Sequence, residues 1–349
     1  MRASRVITVI GCHAEGEVGD VITGGVFAPA GTTMMERKVA FERDHDNIRQ
    51  LLIHEPRGSV ARHVNLLVPS TRPDCMAGAI VMEPTEYPPM SGSNTMCIAT
   101  VLLETGIVEM QEPETRFSLD MPGGRVDITA ECRDGKCVSV TIANVASFAM
   151  KLDAPIDVVG YGTMFVDIAY GGMIFAIADA HALGFAIAPD EARNLAELGE
   201  KIRVAAREQQ PVVHPELPDI EGVSIVQFAG PVTRDGDRLS ARNTCIVSPG
   251  RSDRSPTGTG TCARMAALHA RGVLAIGEGL THESIIGSRF HGTITGETTL
   301  GGRSAILPTI RGRAWITGLH QYTVDPTDPW PAGYVVSDTW GTSNTTTQA

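Results

Sequence analysis

Residues Ser91–Gly106 read SGSNTMCIATVLLETG, and residues Thr257–Gly272 read TGTGTCARMAALHARG. Laid over each other without gaps, they match at Gly92/Gly258, Thr95/Thr261, Leu102/Leu268 and Gly106/Gly272, with hydroxyls at Ser91/Thr257 and Ser93/Thr259. Each reads as a small-residue loop, a hydroxyl cap, an apolar helix and a terminating glycine, the residue types that suit helix ends. The loops stand 166 positions apart in a chain of 349, close to half its length. Two helix caps can look alike by chance, because Ser, Thr and Gly are common there. A second echo favours duplication. VITVIGCHAEGEVGDVITGGV (Val6–Val26) runs strand, turn, strand, and TMFVDIAYGGMIFAIADA (Thr163–Ala180) does so again.

Outward from these segments, short β-rich runs dominate: Val6–Ile10, Val21–Phe27, Val64–Val68, Ala79–Met82, Val138–Ile142, Met164–Ile168, Ile174–Ala178, Val223–Gln227 and Thr244–Val247. Asp190–Arg207 carries Leu195, Leu198 and Ile202 at helical spacing, with acids early and bases late, and reads as a surface helix. Phe41–Ile53 reads as another. The stretch DAPIDVVG (Asp153–Gly160), with its proline and acids, marks the expected boundary between a first α/β half, residues 1–155, and a second, residues 156–324. Residues 325–349 are expected to pack back onto the first half, with the last nine, GTSNTTTQA, as a frayed tail.

Composition narrows the functional classes. The chain is 42% hydrophobic and 20% charged, enough for a packed core rather than disorder. Its net charge is −11 and no run of Lys or Arg occurs, which argues against nucleic acid as a partner. Seven cysteines (Cys12, Cys75, Cys97, Cys132, Cys137, Cys245, Cys262) include no CxxC pair, so neither a disulfide framework nor a zinc site is indicated, and a reducing, cytoplasmic compartment is expected. The N-terminal apolar run is too short for a signal peptide. Ile168–Ala188 is broken by Asp179, His181 and glycines, so no membrane span is expected. Oligomeric state stays open, a homodimer included.

Each of the twin loops offers backbone N–H groups at a helix N-terminus, which favours an anion such as a carboxylate. Competing motifs fail on detail. The GTGT at 258–261 lacks the third glycine of a dinucleotide loop, no GK[ST] follows it, no GxSxG elbow occurs, and the ten histidines show no HExxH. Asp253, just before the second loop, either caps the turn or faces a ligand amine.

At these loops the sequence resembles the proline racemase family, which has a Pro-rich approach to MCGH in its first half and DRSPCGTGT in its second. Here PPMSGSNT occupies Pro88–Thr95 and DRSPTGTGT occupies Asp253–Thr261. Lesser matches are the His13, Gly16, Glu17 turn, EPRG at Glu55–Gly58, HVN at His63–Asn65 and DIAYGG at Asp167–Gly172. The resemblance implies an α/β (α+β) fold of two pseudo-symmetric halves, each a mixed or antiparallel sheet wrapped around a central helix, with the active site in the interdomain cleft. It implies chemistry at the α-carbon of a proline-like amino acid, with no cofactor and no metal. In the racemases two cysteines flank the substrate and exchange the α-proton.

This sequence has Ser91 at the first of those positions and Thr257 at the second, and Ser93 in place of the histidine of MCGH. A hydroxyl is a far poorer base than a thiol. Thr at the second position resembles the trans-3-hydroxy-L-proline dehydratases, which need one working face. The resemblance then implies Ser91 and Thr257 as catalytic residues, with Gly92, Ser93, Gly258 and Thr259 binding the substrate carboxylate and Asp253 accepting the ring ammonium. Cys97 and Cys262 read as core. The alternatives are a 4-hydroxyproline 2-epimerase or proline racemase, and a non-catalytic binder of proline-like amino acids.

Overall fold

Strands joined by tight turns alternate with two long crossovers in each half of the chain, and the same pairing scheme results twice. The computed structural model describes residues 3–236 and 238–340. Its contacts divide the chain into two units, one running up to Ile142 and resuming at Arg313, the other Ala143–Gly312. No helix among the described residues is long and apolar enough to cross a membrane.

The first unit contains β1 (Arg5–Ala14), β2 (Glu17–Gly24), α1 (Met34–Ile53), β3 (Arg62–Val68), β4 (Ala77–Met82), α2 (Gly92–Glu104), β5 (Glu114–Met121), β6 (Gly124–Arg133), β7 (Lys136–Ala143) and, from the far end of the chain, β18 (Ala314–Val324). In it β18 lies antiparallel to β1, β1 antiparallel to β2, β2 parallel to β3, β3 antiparallel to β4, β4 parallel to β5 and β5 antiparallel to β6. The second unit contains β8 (Phe148–Val158), β9 (Gly162–Tyr170), β10 (Ile174–Asp179), α3 (Ala192–Gln209), β11 (Ile225–Ala229), β12 (Thr233–Asp235), β13 (Arg238–Val247), β14 (Arg251–Ser252), α4 (Gly258–Ala270), β15 (Gly279–Glu283), β16 (Arg289–Leu300) and β17 (Arg303–Gly312). Here β8, β9, β10, β11, β13, β15 and β16 repeat the antiparallel, antiparallel, parallel, antiparallel, parallel, antiparallel sequence. Each parallel step coincides with a helical crossover, because parallel neighbours cannot be joined by a tight hairpin. The duplication expected from the twin loops is therefore present in the topology.

Each sheet has a helix on either face. In the second unit Ile174, Ala176 and Ala178 of β10 join the cluster holding Leu195, Leu198 and Ile202 of α3, while the intervening Phe175 and Ile177 pack with Ala263 and Ala267 of α4. Both faces are covered, so such strands read as continuous apolar runs. In the first unit Ile7, Val9, Ile22, Leu66 and Ile80 pack with Phe41, Ile48 and Leu52 of α1. Nine of the described strands contain or overlap the runs expected from sequence. The others, such as β6 and β16, bury alternate residues (Val126, Ile128, Ala130; Phe290, Gly292, Ile294) between exposed or half-buried polar ones. Helix α1 starts earlier than expected, at a capping box in which Glu36 N–H donates to Thr33 Oγ1 (3.1 Å) and Thr33 N–H to Glu36 Oε2 (3.3 Å). Its first two turns bury only Met34 and Phe41, too little for an apolar periodicity.

The boundaries differ from those expected at 155/156 and 324/325. Asp153–Gly160 is no linker, since Ala154, Ile156 and Val158 are buried and pair with β9 while Pro155 and Asp157 point outward. The whole of β18 belongs with β1. Beyond it Trp340 is buried in the first unit's core, edge-on to His54 at 5.1 Å, and Arg57 Nη1 donates to the Trp330 carbonyl at 3.1 Å. The tail at residues 341–349 lies outside the described residues.

Two outcomes follow from this packing. A Cβ on Gly171 would stand 2.1 Å from the Thr259 carbonyl oxygen and 2.5 Å from the Ala263 nitrogen, both backbone atoms of α4. Gly171→Ala should lower unfolding free energy by about 3 kcal/mol in chemical denaturation; an unchanged midpoint would contradict the close approach. Burial, with Arg49 adding to it, holds His54 down to about 4, and burial, with Arg264 adding to it, holds His282 down to about 3. The unfolded chain therefore takes up protons below about 6.5 that the folded chain refuses, each histidine costing up to about 1.4 kcal/mol per pH unit. Stability should fall as pH drops from about 6.5 towards 4, with a shallower slope in His54→Gln.

Candidate functional site

Helix α2 is buried along its first twelve residues, from Gly92 to Leu103, and packs against β1 and β2. A helix so enclosed holds its first turn rigidly. Ser91 sits at its N-cap with extended backbone (φ −146°, ψ 123°), and the Thr95 N–H closes the first helical bond onto the Ser91 carbonyl at 3.0 Å. The approach is fixed by Gly123 of the β5–β6 turn, whose N–H donates to the Pro89 carbonyl at 2.8 Å. Helix α4 repeats the arrangement with Thr257 at its N-cap and ten buried residues. Both helices end on left-handed glycines at the matching positions, Gly106 (φ 72°) and Gly272 (φ 70°).

The hydroxyl cap expected at both loops is absent. Neither Ser91 nor Thr257 accepts a bond from the backbone of its helix's first turn. The Ser91 Oγ instead accepts from the Asn94 Nδ2 at 2.9 Å. The Thr257 Oγ1 donates to Asp253 Oδ2 at 2.6 Å. The reason is local backbone. Thr257 occupies φ 61°, ψ 108°, a region a β-branched residue avoids at a cost of roughly 1–3 kcal/mol. That conformation turns its side chain back to the DRSP segment. Strain of this kind persists where the surroundings over-determine it, and they do here. The Thr257 N–H donates to Ser255 Oγ (3.1 Å), and the Ser255 N–H and Oγ donate to Asp253 Oδ1 (2.8 and 3.0 Å).

Asp253 therefore closes the turn through Oδ1 and grips Thr257 through Oδ2, and its own N–H donates to the Cys245 carbonyl at 2.8 Å. Gly92, Ser93, Gly258 and Thr259 occupy the first helical turns and are buried. A Cβ on Gly260 would lie 3.0 Å from Cys245 Sγ, so a small residue is needed beneath this loop. Cys97 and Cys262 are fully buried, and burial pushes both thiols up, Cys97 further through its neighbour Cys12. They pack in the core, as expected. Among the described residues no group of three or more His, Cys, Asp or Glu is placed to hold a metal ion.

Two features lay beyond sequence reasoning. The partner of Ser91 is Asn94, three residues on and so on the same face of the first turn. His63 and Asn65, quoted above only as the HVN match, both touch that asparagine. The i, i+3 spacing was readable, but the β3 contribution comes from a strand far away in sequence.

A model described as proline racemase matches residues 9–335 of the chain. The chain belongs to the proline racemase family. Among solved structures it is similar to a hydroxyproline epimerase from Agrobacterium vitis with bound trans-4-OH-L-proline, at 41% identity over 98% of both chains and a TM-score of 0.90. A probable proline racemase from Agrobacterium radiobacter K84 with bound carbonate is also 41% identical, covering 96% of this chain and 98% of that one, with a TM-score of 0.90. A PhzF-family phenazine biosynthesis protein from Bacillus anthracis shares the fold alone, at 11% identity and a TM-score of 0.56 over 92% and 100% of the two chains. The fold of two pseudo-symmetric halves is thus that of the proline racemase family.

Within this family member, the Thr257–Asp253 contact is open to direct measurement. Thr257→Val keeps the side-chain volume and removes the hydroxyl hydrogen that Oγ1 donates to the buried Asp253 carboxylate. A stability loss of about 1.5–3 kcal/mol is expected in urea unfolding; a neutral result would mean that Asp253 is held without Thr257.

Proposed function

We propose that the protein is a trans-3-hydroxy-L-proline dehydratase that works without a cofactor. The observation that carries this reading is the difference between the two helix N-termini. The Ser91 hydroxyl accepts a hydrogen bond and keeps its own hydrogen for a ligand, whereas the Thr257 hydroxyl gives its hydrogen to Asp253. One residue is equipped to handle a proton and the other to order a face.

The chemistry needs one working face only. In trans-3-hydroxy-L-proline the 3-hydroxyl lies trans to the carboxylate and therefore on the same ring face as the α-hydrogen. The Ser91 oxygen takes the α-proton while its own hydrogen passes to the departing 3-hydroxyl. The Cα–H and C3–O bonds break, the Cα–C3 double bond forms, and water leaves. Ser91 ends as the neutral hydroxyl it began as, so no free alkoxide is required. The enamine then tautomerises to Δ1-pyrroline-2-carboxylate. The uncapped N–H groups around Gly92, Ser93, Gly258 and Thr259 suit the carboxylate, and Asp253 takes the ring ammonium, which keeps the amine cationic and acidifies the α-carbon.

A second reading, 4-hydroxyproline 2-epimerase, is favoured by the 41% identity to an epimerase with trans-4-OH-L-proline bound. It requires Thr257 to move a proton on the other face. Incubation with trans-3-hydroxy-L-proline, trans-4-hydroxy-L-proline and L-proline in deuterated water separates the two. Imine from the first substrate alone supports the dehydratase. Inversion of the second or third with deuterium at Cα overturns it, and binding without exchange identifies a non-catalytic binder. Ser91→Ala should cut turnover by at least about a hundredfold, and Thr257→Cys should introduce an inverting side reaction.

A further inference from the structure

We infer that Asn94 is the positioning residue of Ser91, held in one orientation by Asn65 and His63, and that its amide steadies the charge that builds on the Ser91 oxygen. This rests on the reading of Ser91 as the proton-handling group.

The hydrogen-bond pattern fixes which atom is which. Asn65 Nδ2 lies 3.1 Å from the Asp20 carbonyl oxygen, which can only accept, so that atom of Asn65 is the nitrogen. The same nitrogen donates to Asn94 at 2.9 Å, so the Asn94 atom facing it is Oδ1. The Asn94 nitrogen must then face the other way. It donates to Ser91 Oγ at 2.9 Å and lies 3.2 Å from His63 Nδ1. His63 Nε2 in turn faces Glu17 at 3.4 Å, and Glu83 lies 3.5 Å from its Nδ1.

All three side chains are nearly inaccessible: Asn65 is 0% exposed, Asn94 1% and His63 3%. In so dry a setting an amide hydrogen aimed at an oxygen is worth more than in water, and it cannot rotate away. Gly19 makes the space, since a Cβ there would stand 2.8 Å from Asn94 Oδ1. The consequence for Ser91 is specific. With one lone pair taken by Asn94, its hydrogen cannot point at that amide and is left for a ligand, the second lone pair remaining for the α-proton. Thr257 has the reverse arrangement, a carboxylate facing the hydroxyl.

The test uses a thiol as a reporter that titrates whatever the reaction is. In the full-length Ser91→Cys variant, the rate of alkylation by iodoacetamide is followed against pH, alone and combined with Asn94→Asp or Asn94→Leu. Loss of the donor should raise the thiol's apparent pKa and slow alkylation at neutral pH, about tenfold for Asn94→Asp, a shift of one unit, and less for Asn94→Leu. On the Ser91 background, Asn94→Asp should lower kcat by about a hundredfold with KM little changed. Thermal unfolding checks that each variant is folded; where Asn94→Asp is not, Asn65→Leu, which frees the amide to rotate, should move the thiol in the same direction. An alkylation profile unmoved by these changes overturns the inference. If Ser91→Ala keeps full turnover while the thiol profile shifts as expected, the proton-handling role of Ser91 fails and the Asn94 contact stands.

Discussion

Two buried helices begin on Ser and Thr, the residues best suited to cap them, and neither hydroxyl does so. A helix leaves its first N–H groups without partners inside itself, and enclosing such an end without a cap is unfavourable unless something else supplies acceptors. Ser91 is drawn to Asn94 and Thr257 to Asp253, which leaves the N-terminal turns of α2 and α4 without a cap from either hydroxyl, and the helix dipole there favours an anion. The surrounding architecture serves to hold those turns still. Each helix is packed into its own sheet, the β9–β10 turn presses on α4 through Gly171, and the β5–β6 turn pins the approach to Ser91.

The duplicated topology places equivalent loops at equivalent points of each unit, but their side chains have diverged in electrostatic sense. In the first unit an amide donates to a serine. In the second a threonine, on strained backbone, donates to a carboxylate. A racemase needs proton exchange on both faces of the substrate, whereas a syn elimination needs it on one. The proposed elimination rests on this difference between the two helix N-termini, in a chain similar to relatives named for epimerase and racemase activity.

Much of the fold was legible because burial on both faces leaves a plain trace. The apolar runs of β3, β4, β10 and β11 and the repeated loop-helix-glycine segments announced a duplicated α/β chain. Strands with one wet face, such as β6 and β16, carry polar residues at every second position and escaped notice. The Asp153–Gly160 stretch misled for the same reason, because its proline and acids are the outward half of a strand whose Ala154, Ile156 and Val158 face the core.

The sequence by itself determined that one fold occurs twice, where the two loops fall, and that hydroxyls rather than thiols stand at both key positions. These are properties of residue type and spacing, which the chain carries unfolded. Only the tertiary structure decided what each hydroxyl does, since a side chain's hydrogen bond depends on its backbone angles and on what folding brings within 3 Å. Asn65 and His63 arrive from a strand nearly thirty residues before Ser91 and meet Asn94 in a buried cluster, where Asn65 donates to its side-chain oxygen. A rule about helix caps predicts that Ser91 and Thr257 cap; packing around them assigned their hydrogens elsewhere.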